Sequence, residues 1–186
     1  MYRDNTLVPS EAMRLLALGF LKEGHLDYAT LAEKTRQFTL RIVGPSLDLI
    51  GTPLEVLKIE GLVESNPAFA AQESLVLTSR GSGEFERLIA SSLRAPLNDM
   101  SKLVLSIKMR FLHLAAPKTR LEQYLLLVDI YDRQLERLQA LKVQEKDQSA
   151  EDFEAWLDIE ITQTQELLRR YEELSLDAEA QAQLNS

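Results

Sequence analysis

One stretch constrains the fold more than any other. From Leu54 the chain reads Leu-Glu-Val-Leu-Lys-Ile-Glu-Gly-Leu-Val, and about a dozen residues later Leu75-Val-Leu-Thr-Ser-Arg-Gly. Threonine at an N-cap, proline at the first helical position and glutamate at N3 make Thr52-Pro53-Leu54-Glu55 a capping box, so a helix starts near Thr52. Placing Pro53 inside a continuous helix would instead cost about 3 kcal/mol. Leu54, Leu57 and Ile59 are expected to face a core, and Gly61 ends the helix. Leu62-Val63 and Leu75–Leu77 are short β runs, and Asn66-Pro67 marks a long hairpin tip between them. Thr78 then opens another helix.

The flanking segments extend the pattern. Pro9-Ser10-Glu11 is a helix start; Met13, Leu15, Leu16, Leu18, Phe20 and Leu21 supply a broad apolar face, and Gly24 ends it. Asp27 caps a second helix, Tyr28 to about Phe38, with Leu31 and Ala32 inward. Gly44-Pro45-Ser46 breaks the chain, and a short helical turn follows at Leu47–Ile50. After the hairpin, Phe85, Leu88 and Ile89 follow helical spacing over Glu84–Leu93. Helices followed by a glycine-stopped third helix, a hairpin and a fourth helix spell a winged helix-turn-helix.

Beyond Arg94-Ala95-Pro96 only long helices are expected. Met100, Leu103, Val104, Ile107, Phe111 and Leu114 form one stripe, and Ala116-Pro117 interrupts it. Leu121, Leu125, Val128, Tyr131, Leu135 and Leu138 recur at steps of three and four, as in a coiled-coil seam. Residues 144–150 are polar and read as a turn. Phe153, Trp156, Leu157, Ile161, Leu167, Leu168, Tyr171 and Leu174 mark a last helix. The expected fold is mainly α with a small β-hairpin: an N-terminal winged helix-turn-helix over 1–95 and an antiparallel long-helix dimerisation domain over 96–176. Residues 177–186 are expected to be a flexible acidic tail. No internal repeat is evident.

Composition narrows the function classes. With no cysteine among its 186 residues, the chain has no disulfide, thiolate nucleophile or cysteine-bound zinc. No apolar run approaches the roughly 18–20 residues of a membrane span, and the first residues do not form an export segment, so a cytoplasmic protein without membrane association is expected. Net charge is −8, which opposes bulk attraction to nucleic acid. Residues 1–95 carry 10 Lys+Arg against 12 Asp+Glu, and residues 96–186 carry 11 against 17, so most of the acidity lies in the C-terminal part. No glycine-rich phosphate loop or nucleophile elbow is present. His25 and His113 lack the spacing of metal ligands. Asp129, Asp132, Glu151, Asp152 and Glu154 read as charge on outer helix faces. No enzyme activity, metal or cofactor is expected.

Three stretches resemble the PadR family of bacterial transcriptional regulators, particularly its virulence-activator-like branch. Leu15-Leu-Ala-Leu-Gly-Phe-Leu-Lys-Glu-Gly24 with Leu31-Ala-Glu-Lys is similar to that family's first two helices. Gly51-Thr-Pro-Leu-Glu-Val-Leu-Lys-Ile-Glu-Gly-Leu-Val63 with Leu77-Thr-Ser-Arg-Gly81 is similar to its recognition helix and wing. Phe111-Leu-His-Leu-Ala onward, with the Trp156-containing helix, resembles its dimerisation region. The resemblance implies a homodimer on a near-palindromic operator, the third helix in the major groove and the wing along the backbone or minor groove. It also implies the possibility of a small-molecule effector, of unknown identity, at Trp156 and Tyr171; the same aromatics equally suit a core or dimer interface.

For double-stranded DNA the candidate contacts are Lys34, Arg36, Gln37, Thr39, Arg41, Ser46, Thr52 and Lys58, cations and hydroxyls suited to phosphate oxygens. Thr52 also serves as a cap. The candidate dimer interface comprises Leu121, Leu125, Val128, Tyr131, Leu135, Leu138, Phe153, Trp156 and Leu157. The third helix sets one cation, Lys58, against Glu55 and Glu60, and the wing tip 66–73 carries no basic residue. That balance motivates an alternative: a winged-helix protein-interaction module that has lost direct DNA binding.

Overall fold

The computed structural model describes residues 6–44, 54–66, 74–95, 97–145 and 150–184. The chain divides into two units, Met1–Ala116 and Pro117–Ser186. In the first, α1 (Pro9–Glu23) is the central helix, with Leu15, Leu16, Ala17 and Leu18 wholly buried. A helix apolar on every side belongs inside a core. Its entry follows from the sequence: Pro9 occupies the first turn, and the Glu11 carboxylate accepts from the Val8 backbone N–H at 3.2 Å.

After Gly24 come β1 (Leu26–Asp27) and α2 (Tyr28–Val43). Asp27 caps α2, accepting from the Thr30 backbone N–H at 2.9 Å and its hydroxyl at 2.6 Å. Those bonds hold the Asp27 carboxyl below its ordinary pKa. α2 continues to Val43, well past the expected end near Phe38, and stops at Gly44, whose N–H donates to the Leu40 carbonyl. Thr35 and Thr39 are buried along this extension. Their polarity conceals an inward face from a reading based on apolar spacing.

Next follow α3 (Leu54–Ile59), β2 (Val63–Asn66), β3 (Ser74–Leu77) and α4 (Ser79–Ile89). The strands form one antiparallel sheet in the order β1-β3-β2, with Leu26 opposite Leu75 and Val63 opposite Leu77. β3 therefore lies between the hairpin partner and the two residues that precede α2. The expected hairpin is present, and β1 adds a third strand to it.

The expected boundary at residue 96 is corrected to Ala116–Pro117. α5 (Asp99–Phe111), capped by Asn98 onto the Ser101 N–H, packs on α1 and α2. Leu103, Ile107 and Phe111 are fully buried, and the Phe111 ring meets Phe20 edge-on at 5.2 Å. An added Cβ on Gly19 would sit 2.5 Å from that ring, so α1 and α5 approach closely because residue 19 has no side chain. The α5 stripe thus completes the core of the first unit. A 3-10 turn, Leu112–Leu114, follows.

The second unit is a hairpin of α6 (Pro117–Glu145) and α7 (Glu151–Leu184). Its antiparallel register is marked by Lys142 paired with Asp158, Gln134 with Thr164 at 3.5 Å, Tyr131 stacked on Tyr171 at 5.4 Å, and Arg120 bonded to Gln181 at 2.9 Å. The seam buries Gln123, Leu127, Ile130 and Tyr131 against Leu157, Thr164, Ser175 and Ala178. Two expectations change. Tyr131 and Leu157, assigned to a dimer interface, are consumed inside the chain. The residues expected to form a flexible tail continue α7 to Leu184, because Ala178 keeps the seven-residue seam going. Among the described residues, no helix is long and apolar enough to cross a membrane.

Candidate nucleic-acid interface

The end of α3 is tied down by backbone geometry. Gly61 takes φ +68°, its N–H donates to the Lys58 carbonyl, and the Leu62 N–H donates to the Leu57 carbonyl. This is a Schellman motif, and the buried Leu57 and Leu62 supply its apolar contact. Thr78 then joins three elements. Its hydroxyl donates toward the Gly61 and Leu62 carbonyls at 2.8 and 3.1 Å and, through the same oxygen, accepts from the Gly81 N–H at 3.0 Å. Gly81 lies so close to Leu62 that an added Cβ would sit 2.0 Å from its carbonyl oxygen.

An ion network holds α3 against the helices beneath it. Arg14 of α1 bonds Glu60 at 2.8 Å and Glu84 of α4 at 3.0 Å, while Arg87 spans Glu84 at 2.8 Å and Glu11 at 3.2 Å. The Arg87 hydrogen bond, aided by Arg14, keeps the Glu84 carboxyl below its usual range, and Glu84 in turn raises the Arg87 guanidinium above its own.

With Leu57 buried and Glu60 engaged by Arg14, the helical period turns Glu55 and Ile59 outward. Ile59 is 83% exposed. It does not face the core as expected. Sequence reasoning missed both as surface candidates, although anchoring the wheel on Leu57 alone places them opposite the core.

The proposed phosphate contacts on α2 do not form one cluster. Lys34 and Arg41 are exposed along one edge, with Lys34 Nζ 5.6 Å from the Phe20 ring centroid. Arg36 lies about 140° from Arg41's side of the helix at 100° per residue. It grips Glu33 at 3.0 and 2.8 Å, and Gln37 donates to the same carboxylate at 2.7 Å. These contacts, Gln37 first, lower the Glu33 carboxyl's pKa. Thr39 is 1% exposed and donates to the Thr35 carbonyl at 2.9 Å, so it is an interior residue and no surface donor. Lys58 is half-buried on α3. Ser46, Thr52 and the wing tip over 67–73 lie outside the described residues.

The aromatic pair proposed for an effector separates. Trp156 stacks on Phe153 at 5.5 Å and Tyr171 on Tyr131, and the fifteen-residue interval along α7 corresponds to about 22 Å. One pocket in one hairpin does not contain both.

A family model described as "Putative AphA-like transcriptional regulator" matches residues 2–175, a span that includes the glycine-stopped α3, the three-stranded wing sheet and α4. The chain belongs to the AphA-like transcriptional regulator family. Among solved structures, this AphA-like chain is similar to a PadR-like transcriptional regulator from Bacillus cereus at 15% identity, covering 91% of this chain and 99% of that one, with a TM-score of 0.40. Bacillus subtilis PadR is similar at 15% identity over 94% and 98% of the two chains, with a TM-score of 0.38. No curated protein matches the chain in sequence.

Proposed function

We propose that this AphA-like regulator, of the PadR type and its virulence-activator-like branch, binds double-stranded DNA as a homodimer and controls transcription from a near-palindromic operator. The observation that carries the reading is α3 held from beneath by Arg14, Thr78 and the Gly61 turn while Glu55 and Ile59 on its opposite side are exposed. A major groove accepts a helix presented in this way. Lys34 and Arg41 of α2 supply phosphate contacts, with Lys58 on α3 itself and Arg36 on the far edge of α2.

The homodimer rests on the second unit. After the hairpin has closed its own seam, Leu125 remains 50% and Trp156 46% exposed, with Ile159, Leu167 and Leu176 also open. Leu121, Val128, Leu135, Leu138 and Phe153 are only half-buried beside them. A second copy covers such stripes isologously and sets the spacing of two winged units. The organism's own upstream region, titrated at 50–200 mM salt, tests both claims. Six phosphate contacts across a dimer predict a log–log slope of about −5. Sedimentation is expected to give dimers at micromolar concentration, and Leu125→Glu is expected to shift them to monomers and weaken binding. A flat salt response with intact dimers favours a protein-interaction module instead. Monomers of the unaltered chain defeat the dimer reading.

A further inference from the structure

We infer that α3 reads base identity through Glu55 and Ile59: the Glu55 carboxylate accepts from the exocyclic amine of a cytosine, and Ile59 packs on the methyl group of a thymine one or two base steps away. The inference rests on the DNA-binding reading above and assigns which bases that site selects.

The helix leaves little choice. Its inward Leu57 is taken by the core and Glu60, just past its end, by Arg14, and Val56 and Lys58 lie half-buried on its flanks. Glu55 and Ile59 stand four residues apart on the outer face, their Cβ atoms about 6 Å from each other. Glu55 lies in the first turn of α3, where glutamine caps as well as glutamate, and Ile59 adds little to the fold. Ile59 leaves most of its apolar surface in water, and a β-branched residue is a poor helix former.

The chemistry of the groove then selects partners. The thymine methyl is the one apolar group on a major-groove edge. A carboxylate only accepts hydrogen bonds. The N4 amine of cytosine offers it a donor, whereas guanine N7 and O6 and thymine O4 repel it. Adenine sets an acceptor beside its amine, which suits an amide better than a carboxylate. A negative charge in the groove also weakens attraction to every phosphate nearby. A carboxylate there therefore lowers affinity while sharpening discrimination.

The test is selection from a random 30-base-pair duplex library with the full chain, Glu55→Gln and Ile59→Ala, followed by affinity measurements on the enriched duplex. Replacing single thymines with uracil removes only the methyl. At one position this is expected to weaken the unaltered protein about fourfold, the worth of one buried methyl, and to leave Ile59→Ala unchanged. Glu55→Gln is expected to bind random duplex more tightly while losing roughly tenfold preference for cytosine at one position. If the unaltered chain enriches a sequence and both variants enrich the same one with the same thymine-to-uracil ratio, this assignment is overturned and DNA binding stands. If the unaltered chain enriches nothing, both fall. Because the two side chains face solvent, circular dichroism is expected to show all three proteins equally folded.

Discussion

Gly81→Ala is expected to destabilise the first unit by about 3 kcal/mol or more, whereas Gly83→Ala, two residues further along the same helix, is expected to stabilise it slightly. A Cβ at position 81 would sit 2.0 Å from the Leu62 carbonyl oxygen and 2.9 Å from the Leu77 side chain. The Leu62 carbonyl has nowhere to retreat, since the Thr78 N–H and hydroxyl both bond it at 3.1 Å. Relief must come from moving α4 away from the base of the wing, which breaks the Thr78 cap as well. Overpacking against fixed backbone, combined with the lost cap, places the cost at the upper end of single substitutions. At Gly83 an added Cβ meets nothing within 4 Å. There alanine brings only its better helix propensity, worth up to about 1 kcal/mol. Thermal unfolding followed by circular dichroism is expected to show a fall on the order of 10 °C for the first and a small rise for the second. Equal melting temperatures would remove the steric argument. DNA affinity is expected to fall with Gly81→Ala even below its melting temperature, because the same contact fixes the end of α3.

What the sequence disclosed follows the range of the interaction concerned. Asp27, Gly61 and Thr78 were readable because a cap or a left-handed turn is satisfied within a few residues of itself. The length of α2 was not readable, since its inward face includes Thr35 and Thr39, whose side chains look like surface groups. The same disguise made Thr39 a false phosphate contact. β1 has two residues, and only its pairing with β3, nearly fifty positions away, makes it a strand. The stripe on α5 was visible as a helix, but a stripe does not name its partner, and Gly19, which admits Phe111, carries no apolar signal.

In the second unit the three-and-four spacing was right and the face was ambiguous. The hairpin seam includes Gln123, Thr164 and Ser175, so counting apolar residues selected Leu121, Leu125 and Val128, which flank the seam. Small residues at 175 and 178 also concealed the continuation of α7, because alanine and serine register poorly in such a count. On α3 the error ran the other way. Ile59 is apolar and yet exposed, and its hydrophobicity argued for the core that the wheel position denies it.

Stability of the first unit is expected to rise with pH between 7 and about 9.5, and Lys108 is the reason. This residue of α5 has no exposed surface, and its ammonium donates at 2.9 Å to the carbonyl of Ile89, the last residue of α4, and to the Ser91 carbonyl just beyond it. Those acceptors explain why a lysine is tolerated there, since the last carbonyls of a helix need donors. Burial nonetheless opposes the charge and pushes the amine down to about 7, against 10.5 for a free side chain. Below pH 7 both folded and unfolded chains hold the proton, and the contribution is constant. Between 7 and 10.5 the unfolded chain holds more proton than the folded one, so stability grows as pH rises, by at most about 1.4 kcal/mol per unit. Urea unfolding is expected to give a gain of about 2 kcal/mol from pH 7 to 9. The carboxylates with lowered pKa, among them Asp27 and Glu84, titrate far below this window. Tyr131 and Tyr171, raised mainly by burial, bring the opposite slope only near pH 10, where unfolded tyrosine begins to lose its proton. Lys108→Met keeps the length of the apolar stem and removes the titrating group, so its curve is expected to be flat over the same interval. A variant that kept the slope would move its origin to another residue. A flat curve in the unaltered chain would mean that the two carbonyls hold the ammonium charged in the folded state, outweighing its desolvation.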